Sequence, residues 1–270
     1  MSSRNVLLDF GPRSNDSRFA GFDDSLPVRG IGAARAPIAV VPSGQALAFR
    51  VGIVDTEPDL LRVQALRQAA YGHHLPALAA HFGQADPVDR WPDVTIFAAE
   101  DKATGRMVGS ARIQCNRSQP LQIERSTELP AHFHGRLLAE ITRMAVISGY
   151  AHPVKLALMK AIHLYCIAMQ ISGIVAASRP SLMRQYLNIG FGDLYGDERM
   201  VPMAHGSGLE HRVLFRDTAA AEAYHRERNH RDDDFVFRTY HPDIQIFDAV
   251  SQVPMALRHE SAEPNYGRAA

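Results

Sequence analysis

The sequence lacks a long unbroken apolar run, a net charge and any supply of cysteine. Each absence removes a class of answer. The two cysteines, Cys115 and Cys166, have no metal-ligand spacing and are too few for a disulfide framework, so a reduced, cytoplasmic protein with no bound metal is expected. Twenty-nine basic residues balance 29 acidic ones, which argues against bulk binding to nucleic acid or a membrane surface. The first apolar run, Val6-Leu7-Leu8, is too short for a signal peptide and is followed by Asp9, Gly11 and Pro12. The longest apolar stretch, 154–177, is interrupted by Lys155, Lys160, His163 and Gln170. It reads as a buried helix followed by a strand rather than as a membrane span. There are no internal repeats.

What remains is an ordinary globular chain of 270 residues, 46% hydrophobic. Residues 1–45 are rich in Arg, Ser, Gly, Asp and Pro without periodicity and read as a flexible arm. A domain is expected over 46–250, and a tail over 251–270. Ala46–Val54 reads as a strand. Thr56, with Pro58 and Asp59 behind it, caps a helix whose apolar stripe is Leu60, Val63, Leu66 and Ala70. A loop with Pro76, Asp86, Pro87 and Asp89 follows, with His73-His74 before it. Val94–Glu100 and Met107–Gln114 form a hairpin around a Gly-bearing turn. The second of these alternates, with Ser110, Arg112 and Gln114 on one face and Met107, Gly109, Ala111 and Ile113 on the other. Further strands are expected at Leu137–Ile147, Ile174–Ser178 and Leu209–Arg216, and helices over 154–171, 179–188 and 218–228. The expected class is mixed α/β.

The segment Glu140-Ile141-Thr142-Arg143-Met144-Ala145-Val146 stands out. It has the branched, apolar character of a buried strand, yet holds a carboxylate and a guanidinium three positions apart. Burying either charge unpaired costs about 3–5 kcal/mol. Regular alternation puts residues 140 and 143 on opposite faces. A β-bulge between them would turn both into one cleft and free a backbone N–H near Ala145 or Val146.

The element order and these motifs resemble the GNAT acyltransferases, over roughly residues 47–217. Within them the chain is similar to the enzymes that draw their acyl group from acyl carrier protein, namely the long-chain N-acyl amino acid synthases and the acyl-homoserine-lactone synthases. The resemblance is carried by Arg67 with Tyr71, by Asp86-Pro87-Val88-Asp89, by Val108-Gly109-Ser110-Ala111-Arg112 and by the 140–146 strand. Gln185-Tyr186-Leu187-Asn188-Ile189-Gly190-Phe191 resembles a late motif whose tyrosine protonates a leaving thiolate. The resemblance implies a mostly antiparallel, twisted central sheet flanked by helices, with a V-shaped cleft between the fourth and fifth strands. It also implies a charged network of Arg67, Asp86, Asp89, Arg112, Glu140 and Arg143 around that cleft. One departure matters. Ser148-Gly149-Tyr150-Ala151-His152-Pro153 stands where CoA-dependent relatives place a Gly-rich pyrophosphate loop, and it has one Gly and a Pro. That favours a carrier-protein donor.

The resemblance implies N-acylation of an amino acid by a long-chain acyl thioester, with acyl carrier protein as partner and no resident cofactor. Glu140 is the candidate general base, Tyr186 the general acid, and Ala145 or Val146 the oxyanion donor. Arg112 and Arg143 could bind the acceptor's carboxylate or orient the Asp86/Asp89 loop. Blander roles stand beside these: Glu140 paired with a nearby arginine, Arg112 and Arg143 as structural salt bridges, and Tyr186 as a core aromatic. Arg67 reads as a brace. Asp86 and Asp89 read either as acceptor-binding groups or as a turn and its cap. Arg117, Arg125 and Arg136 are candidates for meeting an acidic carrier. The alternatives are an acyl-homoserine-lactone synthase that uses S-adenosylmethionine and a silent acyl-binding module.

Overall fold

The computed structural model describes residues 44–74 and 86–247. The expected arm apart from its last two residues, the Pro76 segment, the side chains of His73 and His74, and the tail lie outside the described residues. Nine strands form one sheet: β1 (Phe49–Ile53), β2 (Val94–Asp101), β3 (Met107–Cys115), β4 (Leu138–Val146), β5 (Gly173–Ser178), β6 (Gly192–Asp193), β7 (Met200–Pro202), β8 (Glu210–Asp217) and β9 (Ile244–Gln245). Their order is β6-β8-β5-β4-β3-β2-β1-β9, and β7 also pairs with β8. Among the described residues, only β4–β5 and β1–β9 are parallel. The helices are α1 (Glu57–His74), α2 (Ala151–Ala168), α3 (Met183–Asn188) and α4 (Ala221–Glu227). This is the mixed, mostly antiparallel sheet that the sequence implied.

Helix α1 starts where the capping signal lies. Thr56 Oγ1 accepts from Asp59 N at 3.3 Å and donates to the Asp59 carboxylate at 2.8 Å. Leu60, Val63 and Leu66 are buried, and Leu60 and Val63 pack beside Val94, Ile96 and Ala98 of β2. Helix α2 covers the opposite face. Its approach to β3 is close at Gly109, where an added Cβ would lie 2.4 Å from Val154 Cγ1. Both faces of β3 are therefore covered, and every residue from Val108 to Cys115 is buried. The alternation of β3 holds, but its polar face meets a helix and a charge network instead of water.

Strands β4 and β5 pair only from Leu138↔Gly173 to Ile141↔Ala176. Beyond Ile141 the two parallel strands have no shared ladder, and the cleft opens there. The last expected helix is shorter than its sequence suggested. Asp217 Oδ1 accepts from Ala220 N at 3.0 Å, so the chain makes a turn at 217–220 before α4 begins.

The segment after α4 was not anticipated as structure. It makes one π-helical turn, Asp234–Arg238, and adds β9 beside β1. The Lys160 ammonium of α2 holds this turn, donating to Phe235 O at 2.7 Å and Thr239 O at 2.6 Å. Burial lowers the Lys160 pKa to about 8. Among the described residues, no helix is long and apolar enough to cross a membrane.

Candidate active site

The expected bulge is present, at Arg143–Met144. Arg112 pairs with Thr142 and Ser110 with Ala145, so two β4 residues oppose the single Ala111 of β3. Arg143 adopts φ +54°, a left-handed conformation that a side chain disfavours by about 1–2 kcal/mol. The phenol of Tyr71 donates to Met144 O at 3.0 Å, so a side chain of α1 satisfies a carbonyl of the bulge.

The bulge turns Arg143 towards the face that carries Arg112, Thr142 and Glu140. Asp86 bridges the two arginines: its Oδ2 lies 2.8 Å from Arg112 Nη1 and 3.4 Å from Arg143 Nη2. Its Oδ1 meanwhile accepts from Val88 N at 3.1 Å, capping the turn Pro87–Arg90. Asp86 is therefore both a turn cap and an arginine ligand. The two arginines hold its carboxyl below the usual range against the opposing effect of burial.

Asp89 is fully buried. Its two oxygens are divided between Arg67 Nη1 at 2.7 Å and Arg112 Nη1 at 3.0 Å. Arg112 is also fully buried and completes its set with Thr142 Oγ1 at 3.0 Å and Gln122 Oε1 at 3.5 Å. The result is a chain of five charges, Arg67–Asp89–Arg112–Asp86–Arg143, that runs from α1 through the sheet to the open edge of β4. It emerges into solvent at Asp86 and Arg143.

Glu140 has no exposed surface. Its Oε2 accepts from Ile123 N at 2.9 Å. Burial raises its pKa to about 7, with Ile123 N and the Arg112 charge opposing that rise. Its Oε1 makes no hydrogen bond among the described residues, and His205 Nε2 lies 3.4 Å away. Sequence reasoning missed His205. It sits 65 positions from Glu140, on the short turn Ala204–Gly206 between β7 and β8, and it is one of 13 histidines. No local spacing links the two.

At the open edge, Ile147 N donates to Val108 O at 3.0 Å. Antiparallel alternation then directs Ala145 towards β3, while the Val146 N–H points to the side from which β5 has departed. Of the two expected oxyanion donors, Val146 has the suitable direction.

Tyr186 lies on α3 and packs edge-on against Phe191, with ring centroids 5.3 Å apart. Gly190, at φ +90°, ends that helix as Phe191 N reaches back to Tyr186 O at 3.1 Å. The ring is half-buried, and burial pushes the phenol up to about 12, helped by nearby Tyr71. Tyr186 thus belongs to the same neighbourhood as the bulge that Tyr71 holds.

The remaining candidates are elsewhere. Cys166 is buried in α2, and its thiol is pushed up by burial, as is that of Cys115. His163 is buried, while His132 and His134 are exposed. Arg117 donates to Met169 O, Arg125 lies over Trp91, and Arg136 reaches Asp217. Among the described residues, no group of three or more His, Cys, Asp or Glu side chains could hold a metal ion.

No protein-family model matches the chain, and no curated protein does. Solved structures do. FeeM, an N-acyl amino acid synthase from uncultured soil microbes, superposes with a TM-score of 0.51 at 13% identity, covering 65% of this chain and 93% of that one. This chain has the GNAT acyltransferase fold. BjaI, a CoA-dependent acyl-homoserine lactone synthase, aligns over 68% of this chain and 90% of its own at 15% identity, with a TM-score of 0.45. TofI, solved with an inhibitor and MTA, aligns over 65% and 94% at 17% identity, also at 0.45. The architecture shared with FeeM extends over nearly all of that enzyme. In the present chain the sheet opens between β4 and β5, beside the β4 bulge.

Proposed function

We propose that this protein is an N-acyltransferase that moves a long-chain fatty acyl group from acyl carrier protein to the amine of an amino acid. The carrying observation is the bulge at Arg143–Met144. It turns Arg143 to the face that carries Glu140 and Arg112, and it lies beside the outward Val146 N–H where β4 and β5 part. The fold shared with FeeM, an N-acyl amino acid synthase, supports the same reading.

In this reading the acyl thioester lies in the opening between β4 and β5. Val146 N–H meets the carbonyl oxygen as it becomes an oxyanion. Arg143 and Asp86, the solvent-facing end of the charge chain, meet the acceptor: the guanidinium suits its carboxylate, and Asp86 suits its ammonium. Asp89 and Arg67 are braces, and Arg112, bonded to Asp86 and Thr142 as well as Asp89, holds Asp86 in place. Glu140 is the base that receives the ammonium proton through a water, and its raised pKa near 7 suits that task. The amine attacks, the C–S bond breaks, and Tyr186 protonates the thiolate. A phenol held near 12 stays protonated and able to give. The second nitrogen proton balances the one Tyr186 supplies.

The start of α2 supports a donor without a pyrophosphate. Tyr150, which precedes it, donates its hydroxyl to Asp101 at 2.9 Å. Pro153 removes one N–H from the first turn.

The test is incubation with palmitoyl-acyl carrier protein and a panel of amino acids, followed by mass spectrometry. An N-acyl amino acid is expected. An acyl-homoserine lactone formed when S-adenosylmethionine is added would establish the alternative enzyme. Carrier binding without any product would establish the silent module.

A further inference from the structure

A guanidinium stands on the other wall of the opening. Arg179 follows the last residue of β5, and its backbone, at φ −67° and ψ 151°, continues the extended strand. Side chains therefore keep alternating through it. Val175 and Ala177 pack in the apolar cluster of Leu121, Leu138 and Val213, on the face that carries Leu138 and Glu140 of β4. Arg179 stands on that same face. Counting on from Glu140↔Val175 along the parallel strands, it is level with the bulge. Across β8 its neighbour is His211, directly past the last pair, Ser178↔Arg212. Burial lowers the His211 pKa, and the Arg179 charge adds to that against the Leu209 carbonyl, so the two side chains are near each other.

Arg179 differs from the other arginines around the opening. Arg112 and Arg143 are paired with Asp86, and Arg212 with Asp193 and Glu198. Arg179 is half-buried, yet its guanidinium makes no ion pair or hydrogen bond among the described residues. A brace needs something to hold, and this side chain holds nothing. A planar fork of donors, partly withdrawn from water and left unmatched, suits a carboxylate.

We infer that Arg179 binds a second carboxylate on the acceptor, so that the amine substrate is a dicarboxylic amino acid, aspartate or glutamate. This rests on the acyltransferase reading and deepens it. Asp86 takes the ammonium and Arg143 the α-carboxylate. Arg179, across the opening and on the same face, is left for the carboxylate of the side chain. The charges agree. Arg67, Arg112, Arg143 and Arg179 outnumber Asp86, Asp89 and an ionised Glu140 by one. A neutral zwitterion leaves that excess in place, and a second carboxylate cancels it.

Binding and turnover test this separately. Titration calorimetry of wild type with aspartate, glutamate, glutamine and leucine needs no acyl transfer. One of the two dicarboxylic acids is expected to bind about 10–100-fold more tightly than glutamine, and Arg179→Ala to erase that margin. No binding of either acid, or equal binding of glutamine, overturns the assignment. In the assay with palmitoyl-acyl carrier protein, Arg179→Ala lowers kcat/KM for the dicarboxylic acceptor by the same factor. It leaves glutamine turnover and the melting temperature unchanged. Arg179→Glu turns the preference towards lysine, an outcome that loss of packing cannot produce. An equal fall for every acceptor, or a raised KM for the carrier protein alone, overturns the assignment. If wild type forms no acyl product, the activity reading fails, and the calorimetry still decides whether Arg179 reads a second carboxylate.

Discussion

Asp89→Ala is expected to be among the most destabilising single changes at this site, and its size follows from the burial of three side chains. Asp89 and Arg112 have no exposed side-chain surface, and Arg67 has 3%. Asp89 is the acidic partner of Arg67, whose Nε and Nη2 have no hydrogen-bond partner among the described residues. Burial already presses the Arg67 pKa downwards, and the Asp89 charge opposes that. Removing the carboxylate leaves one guanidinium buried with no counter-charge and another dependent on Asp86 alone. Breaking a buried pair in this way costs about 3–5 kcal/mol. For a domain of 150–250 residues each kcal/mol moves Tm by about 2–4 °C, so a fall of about 6–20 °C follows. Circular dichroism melts and urea midpoints measure it. Asp86→Ala provides the contrast. Its side chain is 22% exposed and lies at the solvent end of the chain, so its melt falls less while its acyl transfer falls more. A drop below about 2 °C for Asp89→Ala, or a larger drop for Asp86→Ala, would refute the view that the inner charges brace and the outer ones bind.

Four further outcomes follow from the geometry. Arg143→Gly and Arg143→Ala both lose the guanidinium, but only glycine relaxes at φ +54°, so the glycine variant is the more stable by about 1 kcal/mol in urea unfolding; equal midpoints would remove the strain. Gly109→Ala drives a methyl into Val154 and lowers stability by about 1–3 kcal/mol, read from the same unfolding curves. Glu140 has a folded pKa raised to about 7, so the unfolded chain releases its proton first and stability falls as pH rises from about 4.5 to 7; Glu140→Gln removes that loss, worth on the order of 3 kcal/mol, and melts higher than wild type at pH 8 but not at pH 4, while losing acyl transfer. Tyr186→Phe keeps the edge contact with Phe191, so its melt is unchanged while turnover falls about 100-fold; a normal rate would make Tyr186 a packing residue.

Much of the framework was legible because it rests on local signals. Thr56 and Asp59 mark the start of α1, the turn at Gly105 marks the β2–β3 hairpin, and the apolar run after residue 150 marks α2 and β5. The charge network was legible only through resemblance, because Arg67, Asp86, Asp89 and Arg112 come from three separate elements and no spacing rule connects them. His205 was not legible, since its partner is a strand far away in the chain. The two-residue strands β6 and β9 escaped for a different reason: periodicity needs more than one repeat to be visible. The covered polar face of β3 was half legible, because alternation specifies faces but not what lies against them.

The bulge in β4 also has a consequence for inheritance. Before it, the even positions Glu140 and Thr142 stand on the α1 side. After it the parity reverses: Ala145 shares a face with Ser110, while Met144 and Val146 join the core cluster under α2. The strand is two reading frames joined by one extra residue. Losing a single residue at 143 or 144 would fuse the frames, exchange the core-facing and cleft-facing side chains on one flank, and undo fold and site together.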